Sequence, residues 1–197
     1  MPATRRLLLC KSVHHGNTAK IARAIASALG AELATPETVS YASLSACDLL
    51  GVGSGVYYGR MHEALFEWLF GLPDDPEART PAFIFSTSGL PMFARFWHGP
   101  LRRLLKRKGF SVIGEFACGG YDTWGPLWLT GGLNRSHPDE NDLNRAKQFA
   151  ARLVRDGQTT ANPPGSPPAH AIASITWTAA RGHASYVIRS VSNARRL

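Results

Sequence analysis

The residues best suited to bind a ligand lie in a short polar segment between an apolar run and a helix-like pattern. The segment reads Ser12-Val13-His14-His15-Gly16-Asn17-Thr18, and its hydroxyl, imidazole and amide groups all donate hydrogen bonds. The first N–H groups of a helix are unpaired and carry a partial positive charge, so an anion is stabilised beside them. Gly16 allows close approach of the backbone or a positive φ. The segment indicates a phosphate site, although Asn and Thr are also ordinary N-cap residues.

Two later segments carry groups suited to a flat aromatic ligand. Residues 54–59 place two tyrosines between glycines, and a tyrosine ring can stack on an aromatic ligand while excluding water. Residues 86–89 offer hydroxyls and backbone N–H groups. Such residues also serve as packing aromatics and as hydroxyl-rich turns. The candidate ligand contacts in these segments are Val56, Tyr57, Tyr58, Thr87, Ser88 and Gly89.

Several other kinds of site lack residues that they require. No GxxxxGK[ST] motif occurs, which disfavours a P-loop nucleotide hydrolase. The glycine run 51–55 indicates a dinucleotide site only weakly, because Tyr58 stands where the third glycine of GxGxxG belongs. A phosphoacceptor receiver needs carboxylates after its first strand, and residues 12–18 contain none. No G-x-S-x-G nucleophile elbow is present. The histidines His62, His98 and His137 show no metal-ligand spacing, and we interpret them as solvent-facing or capping residues.

The elements that would position these segments alternate between apolar runs of strand length and stretches of helical period. Strands are predicted at residues 7–10, 31–34, 49–53, 82–85 and 111–118, and helices at 17–29, 61–70, 98–108 and 139–155, with a short helix within 37–46. The alternation favours an α/β fold with a doubly wound parallel sheet and helices on both faces. Because the carboxyl ends of parallel strands meet at one edge, the three candidate segments are expected to converge there. The fifth strand alternates and carries Glu115, which is typical of a sheet edge.

Several segments, taken in order, resemble the flavodoxin family. Residues 12–18 are similar to its hydroxyl-rich phosphate loop, [ST]-x-T-G-x-T, with His15 where the family usually has Thr before the glycine. The resemblance continues through residues 48–59, 84–89, 120–126 and 137–142, and in all it covers about residues 5–155. It implies a flavodoxin-like, doubly wound, five-stranded parallel sheet of order 2-1-3-4-5, with FMN held non-covalently at the carboxyl edge.

The resemblance also implies a role for each candidate segment. The phosphate of FMN would lie at the first loop, and the ring would lie against the loops after the third and fourth strands. The loop after the fifth strand, with Tyr121, Asp122 and Trp124, would approach the cofactor from the side or shape a partner surface. The cofactor-binding set so implied is Ser12, His14, His15, Gly16, Asn17, Thr18, Val56, Tyr57, Tyr58, Thr87, Ser88 and Gly89.

Two redox functions fit the resemblance, and a third possibility is a binding module that has lost the flavin. The first is electron transfer with a redox partner protein. The second is an FMN-dependent oxidoreductase on the same fold, a quinone reductase or a protoporphyrinogen-oxidase-like protein, to which residues 57–62 are similar. Flavodoxins resemble one another in being acidic, whereas this chain has a net charge of +8. Its basic run at residues 102–108 is compatible with an acidic partner, and no nucleic-acid-reading module accompanies it.

Composition predicts one domain followed by an appendage. Residues 1–156 hold all 14 acidic residues, whereas residues 157–197 hold four arginines and no acid. The Pro-rich stretch 162–168 reads as a linker, and the remaining tail reads as disordered. No window reaches the ~18 apolar residues of a membrane span, so a cytoplasmic protein is expected. The three cysteines, Cys10, Cys47 and Cys118, are widely spaced and are interpreted as buried reduced thiols.

Overall fold

The computed structural model describes residues 4–13, 15–40, 43–44, 46–75, 77–121, 134 and 136–160, with side chains described as far as residue 155. The chain divides into two units, 1–161 and 162–197. The Pro-rich linker and the tail lie outside the described residues, as do His14, Asp122 and Trp124. The boundary at residue 156 and the disorder of the tail therefore stay predictions.

The described chain alternates strands and helices as the apolar pattern predicts. The strands are β1 (Arg6–Lys11), β2 (Glu32–Ala34), β3 (Leu49–Tyr57), β4 (Arg60–Met61), β5 (Thr80–Ser88) and β6 (Phe110–Gly119). The helices are α1 (Asn17–Leu29), α2 (Glu63–Phe70), α3 (Ala94–Trp97), α4 (Gly99–Arg107) and α5 (Glu140–Thr160), and a 3-10 turn covers Pro91–Phe93. The short helix predicted within 37–46 falls partly on residues outside the description.

The five long strands form a parallel sheet in the order β2-β1-β3-β5-β6, and the two-residue β4 pairs antiparallel with β3. With β4 set aside, this is the predicted order 2-1-3-4-5, so the predicted fold class is confirmed. The order reverses at β1, because the chain moves first to β2 and then to β3 on the other side. The carboxyl ends of β1 and β3 are thus adjacent, with Lys11 paired to Ser54. A crevice at such a reversal is the usual ligand site of an open α/β sheet.

Alternate residues of the strands face two separate cores. Leu8, Phe83 and Phe85 pack with α1 and α5 on one face, and Leu9, Leu50 and Ile84 pack with α2 and α4 on the other. Strands buried on both faces read as continuous apolar runs, which explains why residues 7–10 show no alternation. Each face of the sheet therefore carries its own helices, and this packing fixes the position of the carboxyl edge.

The three cysteines are buried and form no disulfide, as the sequence predicts. Burial raises the pKa of the Cys10 and Cys118 thiols to about 12. Their thiolate forms are therefore strongly disfavoured at neutral pH, which makes them poor nucleophiles.

The predicted end of the third strand was wrong, because β3 continues through Tyr57 instead of stopping at Gly53. Tyr58 and Gly59 have φ of 52° and 73°, and they form a two-residue turn that pairs Tyr57 with Arg60. Turns with positive φ at both central residues match the twist of a hairpin, and a tyrosine is an unusual residue there. The next helix consequently begins at Glu63, two residues later than predicted.

Two other element boundaries and one segment differ from the prediction. Strand β5 extends to Ser88, so Thr87 and Ser88 are its last residues and do not lie in a following loop. The segment between β5 and α4 forms a 3-10 turn and the short helix α3, neither of which was predicted. Helix α5 runs to Thr160, beyond its predicted end at residue 155. In the part of the chain that the structure describes, no helix combines the length and apolar character needed to cross a membrane.

Candidate functional site

The N-terminus of α1 has the geometry of an anion site. Gly16 is the N-cap residue with φ 66° and ψ 15°, and because it has no side chain it supplies no capping acceptor. His15 also has a positive φ, 56°. A Cβ added at Gly16 would meet no atom within 4 Å, so the space beside the first turn is open. The first turn contains no acidic residue that would compete with an anion.

The first turn of α1 is tied to the ends of β5 and β6. The Thr18 and Thr87 hydroxyls lie 2.8 Å apart and share a hydrogen bond, with both residues buried. The Asn17 side-chain amide donates to the Tyr121 carbonyl oxygen at 2.9 Å. The sequence predicts that these segments converge at one edge, and the structure brings them into direct contact.

Tyr57 and Tyr58 have different environments. The Tyr57 ring folds back over Gly55, where an added Cβ would lie 2.6 Å from the phenol oxygen. Its hydroxyl accepts a hydrogen bond from the Val13 N–H at 3.2 Å, which links β3 to the loop after β1. Tyr58 is 80% exposed at the tip of the hairpin. Of the two rings, that of Tyr57, the last residue of β3, reaches the predicted phosphate loop at Val13, whereas Tyr58 stands at the outer rim.

Two serine hydroxyls at this edge are buried without a hydrogen-bond partner in the described part of the chain: Ser12 Oγ and Ser88 Oγ. Ser12 directly follows β1, and Ser88 ends β5. A buried hydroxyl without a partner costs about 1–3 kcal/mol, so such groups usually serve a ligand or an ordered water. Both residues belong to the predicted cofactor-binding set. The donor chemistry at this edge therefore fits a phosphorylated ligand.

The loops after β5 and β6 are also joined to one another. The Gly120 N–H donates to the Ser88 carbonyl oxygen at 3.0 Å, and the Asn134 side chain donates to the Gly89 carbonyl oxygen at 2.9 Å. The rings of His15 and Tyr121 lie 4.6 Å apart between centroids. Asn134 thus holds Gly89 in place, a contact that the sequence did not predict. Val56 is half-buried in β3, where it pairs with Met61.

A buried polar group that sequence reasoning missed lies on the α2/α4 face, beneath the same edge. The His98 ring contacts Ser86 Oγ through Nε2 at 2.8 Å and Glu115 Oε2 through Nδ1 at 3.0 Å. The Arg102 guanidinium forms two hydrogen bonds with the same carboxylate. His98 is 1% exposed, so its interpretation as solvent-facing was wrong; it does occupy the N-cap position of α4, but its side chain forms no capping hydrogen bond. The apolar spacing of α4 gave no signal for this contact, which depends on β5 and β6 lying side by side.

The order serine, imidazole, carboxylate resembles a hydrolytic triad, but its environment argues against that use. Ser86 is 0% exposed, so no substrate carbonyl could reach its hydroxyl. Burial lowers the pKa of His98 although the Glu115 carboxylate opposes this effect. Burial also raises the pKa of Glu115, yet the hydrogen bonds from Arg102 and His98 outweigh it and leave that pKa below its usual range. A neutral imidazole held between two partners positions α4 on the sheet.

The other two histidines act near helix starts. His62 is the N-cap residue of α2, and its Nδ1 accepts from the Ala64 N–H at 3.2 Å, which confirms the capping interpretation. His137 Nδ1 lies 2.5 Å from Asp142 Oδ2. Together with Asp139, these groups place potential metal ligands within 4.8 Å of one another. The backbone N–H of each of Asp139 and Asp142 donates to the carboxylate of the other, a reciprocal cap at the start of α5 that accounts for their proximity.

Comparisons with known proteins agree with this fold. Residues 7–89 match the model of a flavodoxin domain. The chain is 43% identical over 152 residues to the uncharacterized protein MJ0298 of Methanocaldococcus jannaschii, covering 77% of this chain and 99% of that protein. The fold of the present chain is similar to that of a flavodoxin from the domain Archaea (TM-score 0.57, 13% identity, 79% of this chain and 99% of the other). It is also similar to oxidised Flavodoxin 2 from Bacillus cereus (TM-score 0.56, 18% identity, 77% and 99%).

Proposed function

Because the chain belongs to the flavodoxin family, we propose that it binds FMN non-covalently at the carboxyl edge of its sheet and exchanges electrons with a redox partner protein in the cytoplasm. The observation that carries the proposal is the pair of buried serine hydroxyls, Ser12 Oγ after β1 and Ser88 Oγ at the end of β5, which have no hydrogen-bond partner among the residues that the structure describes. Bound FMN would supply the electron-transfer chemistry, which no side chain at this edge supplies.

The first loop would hold the phosphate. The N–H groups at the start of α1 point along the helix axis and carry partial positive charge, so they stabilise a phosphate dianion. The Ser12 hydroxyl and the His14 imidazole would add donors, and the His15 imidazole would supply an N–H group in place of the family's threonine. Asn17 and Thr18 already bond to Tyr121 and Thr87, so they hold the loop against β5 and β6 as well as lining it.

The ends of β3 and β5 would hold the ring. Tyr57 and Tyr58 offer aromatic faces, and Val56 adds apolar surface from the same strand. Thr87, Ser88 and Gly89 offer a hydroxyl and backbone groups that could bond to the polar edge of a flavin and adjust its potential. Tyr57 packs over Gly55 and bonds to Val13, so ligand entry would require its hydroxyl to exchange that bond for a ligand contact.

The direct test removes the two unpartnered hydroxyls. We expect Ser12→Ala to weaken FMN binding by about 1.5–3 kcal/mol, the range for hydrogen bonds to charged groups, and Ser88→Ala by about 0.5–1.5 kcal/mol. Neither change removes a protein hydrogen bond, so the free energy of unfolding of the flavin-free protein should stay constant or rise. Titration of flavin fluorescence measures the first quantity, and urea denaturation measures the second.

Two matched serine variants control this test. Ser111→Ala alters an exposed serine of β6 and should change neither quantity. Ser54→Ala removes a buried hydroxyl that accepts from the His62 N–H and donates to the Gly55 carbonyl, so it should destabilise the fold. Unchanged FMN affinity in the Ser12→Ala/Ser88→Ala double variant would refute the assignment of these hydroxyls. A purified protein that contains no flavin and does not bind added FMN would refute the proposal as a whole.

The charge of the chain favours a second candidate, an FMN-dependent oxidoreductase that acts on its own substrate. The net charge of +8 departs from the acidic character expected of a carrier. Steady-state oxidation of NAD(P)H with a quinone acceptor separates the two functions. Fast turnover without a protein partner would favour the enzyme, a quinone reductase or protoporphyrinogen-oxidase-like protein. Turnover that depends on an added redox protein would favour the carrier.

A further inference from the structure

We propose that the segment after β5 docks this protein on an anionic lipid bilayer, with Leu90, Met92, Phe93 and Phe96 entering the interfacial region and neighbouring arginines contacting lipid phosphates. These four side chains are called the apolar tip below. The inference does not depend on flavin binding, although the tip begins one residue after Gly89 of the candidate site.

The apolar tip is unusually exposed. Met92 is 73% exposed and Phe96 is 80% exposed, while Phe93 and Leu90 are 53% and 46% exposed. Single exposed apolar residues are normal on protein surfaces, but four within seven residues are a concentration of the kind found at interaction sites. Values near 80% mean that the side chains protrude from their surroundings, so they do not line a groove.

The base of the tip is held rigidly. Ala94 is buried between the exposed residues, and His98 ends α3 with hydrogen bonds to Ser86 and Glu115. The Phe93 and Trp97 rings are in contact, with centroids 5.9 Å apart. Because the backbone of α3 is fixed to the sheet by buried groups, the apolar side chains cannot turn inward to escape water.

The sequence around the tip is basic, and Glu115, which follows this stretch, is paired with Arg102. Residues 78–114 contain seven lysines and arginines and no acidic residue. Arg95 is exposed within the tip, and Arg102 on α4 donates to its carbonyl oxygen at 3.3 Å, so α4 and the tip adjoin. Asp74 pairs with Arg107 and Lys108 at the far end of α4. In the described part of the chain, no acidic group forms an ion pair with the exposed Arg95, Arg103 or Lys106.

These features suit a lipid surface better than a protein partner. A protein must offer a complementary pocket for each protruding aromatic ring, whereas a bilayer interface accepts phenylalanine and methionine side chains without one. Basic residues beside inserted apolar groups gain affinity from anionic headgroups, and the attraction weakens with salt. The tip would enter only the interfacial layer, because α3 is a single helical turn of four residues.

The test is sedimentation of the full-length purified protein with large unilamellar vesicles. Vesicles of phosphatidylcholine with 30% phosphatidylglycerol should bind the protein about tenfold more tightly than phosphatidylcholine alone, and 0.5 M NaCl should abolish most of the difference. Phe93→Ser/Phe96→Ser should reduce binding to the anionic vesicles about tenfold. Arg95→Glu should reduce it severalfold while leaving the apolar tip intact.

A variant at a different exposed apolar residue serves as the matched control for vesicle binding. Leu33→Ser alters an apolar residue that is 41% exposed on the edge strand β2, and it should leave vesicle binding unchanged. The arginines of residues 157–197 could attract the same vesicles, so binding that survives Phe93→Ser/Phe96→Ser overturns the proposal. Absence of vesicle binding by the unmodified protein overturns it as well. Self-association that is lost in the Phe93→Ser/Phe96→Ser variant, without vesicle binding, would instead identify the tip as a protein interface. Circular dichroism confirms that each variant is folded.

Discussion

At Gly51 and Gly53, strand β3 passes beneath the rings of Phe83 and Phe85 on β5. A Cβ added at Gly51 would lie 2.5 Å from the Phe83 ring, and one at Gly53 would lie 2.4 Å from the Phe85 ring. Both rings are fully buried, so they have no free space into which to move. The glycine-rich run, which the sequence associates weakly with a dinucleotide site, therefore serves packing: it gives two phenylalanines room on one face of the sheet.

We expect Gly53→Ala to destabilise the protein by about 1–3 kcal/mol, the usual cost of overpacking a tight core. Chemical denaturation measures the change in unfolding free energy. Gly71→Ala is the matched control, because Gly71 has φ −67° and an added Cβ would lie 3.4 Å from its nearest neighbour. Phe85→Leu removes the obstructing ring and should recover part of the loss in the double variant. Equal stability of Gly53→Ala and the unmodified protein would contradict the packing role.

At the scale of elements, the His98 cluster joins α3 and α4 to β5 and β6. His98 contacts Ser86 on β5 and Glu115 on β6, and Arg102 reaches the same carboxylate from α4. Glu115 stands on an edge strand, as the alternating pattern of residues 111–118 predicts. It is only partly exposed, because its charge is matched by Arg102. The helical period of α4 predicts its apolar contacts. The polar contacts at its start can be recognised only once β5 and β6 are known to lie side by side.

This cluster predicts a specific pH dependence of stability. Burial holds the pKa of His98 in the folded protein below its usual 6.5. The unfolded chain therefore takes up the proton first, and the unfolding free energy should fall as pH decreases below about 6.5. In His98→Gln, the unfolding free energy should change less steeply with pH. Urea denaturation between pH 5 and 8 measures this dependence.

A second histidine provides an internal check of opposite sign. The hydrogen bond to Asp142 raises the pKa of His137, so its contribution is present at low pH and declines as pH rises above that raised pKa. His137→Asn should therefore remove a contribution that favours the folded state in acid. If the unfolding free energy of His98→Gln varied with pH as that of the unmodified protein does, the pKa of His98 would not differ between the folded and unfolded states.

At the scale of the molecule, all buried apolar residues in the described part of the chain lie between Leu7 and Leu153. Both described cores draw their residues from this range, and α5 packs Phe149 and Leu153 in the core on the α1 face. Residues 157–197 add four arginines without an acid, so half of the net charge of +8 lies outside the sheet domain. From composition we expect the tail to contribute to net charge and not to the core.

We therefore expect deletion of residues 162–197 to change the thermal unfolding midpoint by less than about 2 °C. Differential scanning fluorimetry measures the midpoint. Deletion of residues 149–197, which removes Phe149 and Leu153 from the core, should lower it strongly or prevent folding. A large loss of stability in the shorter deletion would mean that the tail packs on the domain, contrary to the composition of residues 162–168.

The amino-acid sequence by itself determined the alternation of strands and helices and, through the family resemblance, the strand order; the anion site at the start of α1 stays a prediction. Apolar period and helix-terminal polarity are local properties, so they can be read from neighbouring residues. Only the tertiary structure decided that β3 continues through Tyr57, that Thr18 bonds to Thr87, and that His98 is buried. These contacts join residues far apart in the chain. They depend on strand register and helix placement, which no local pattern specifies.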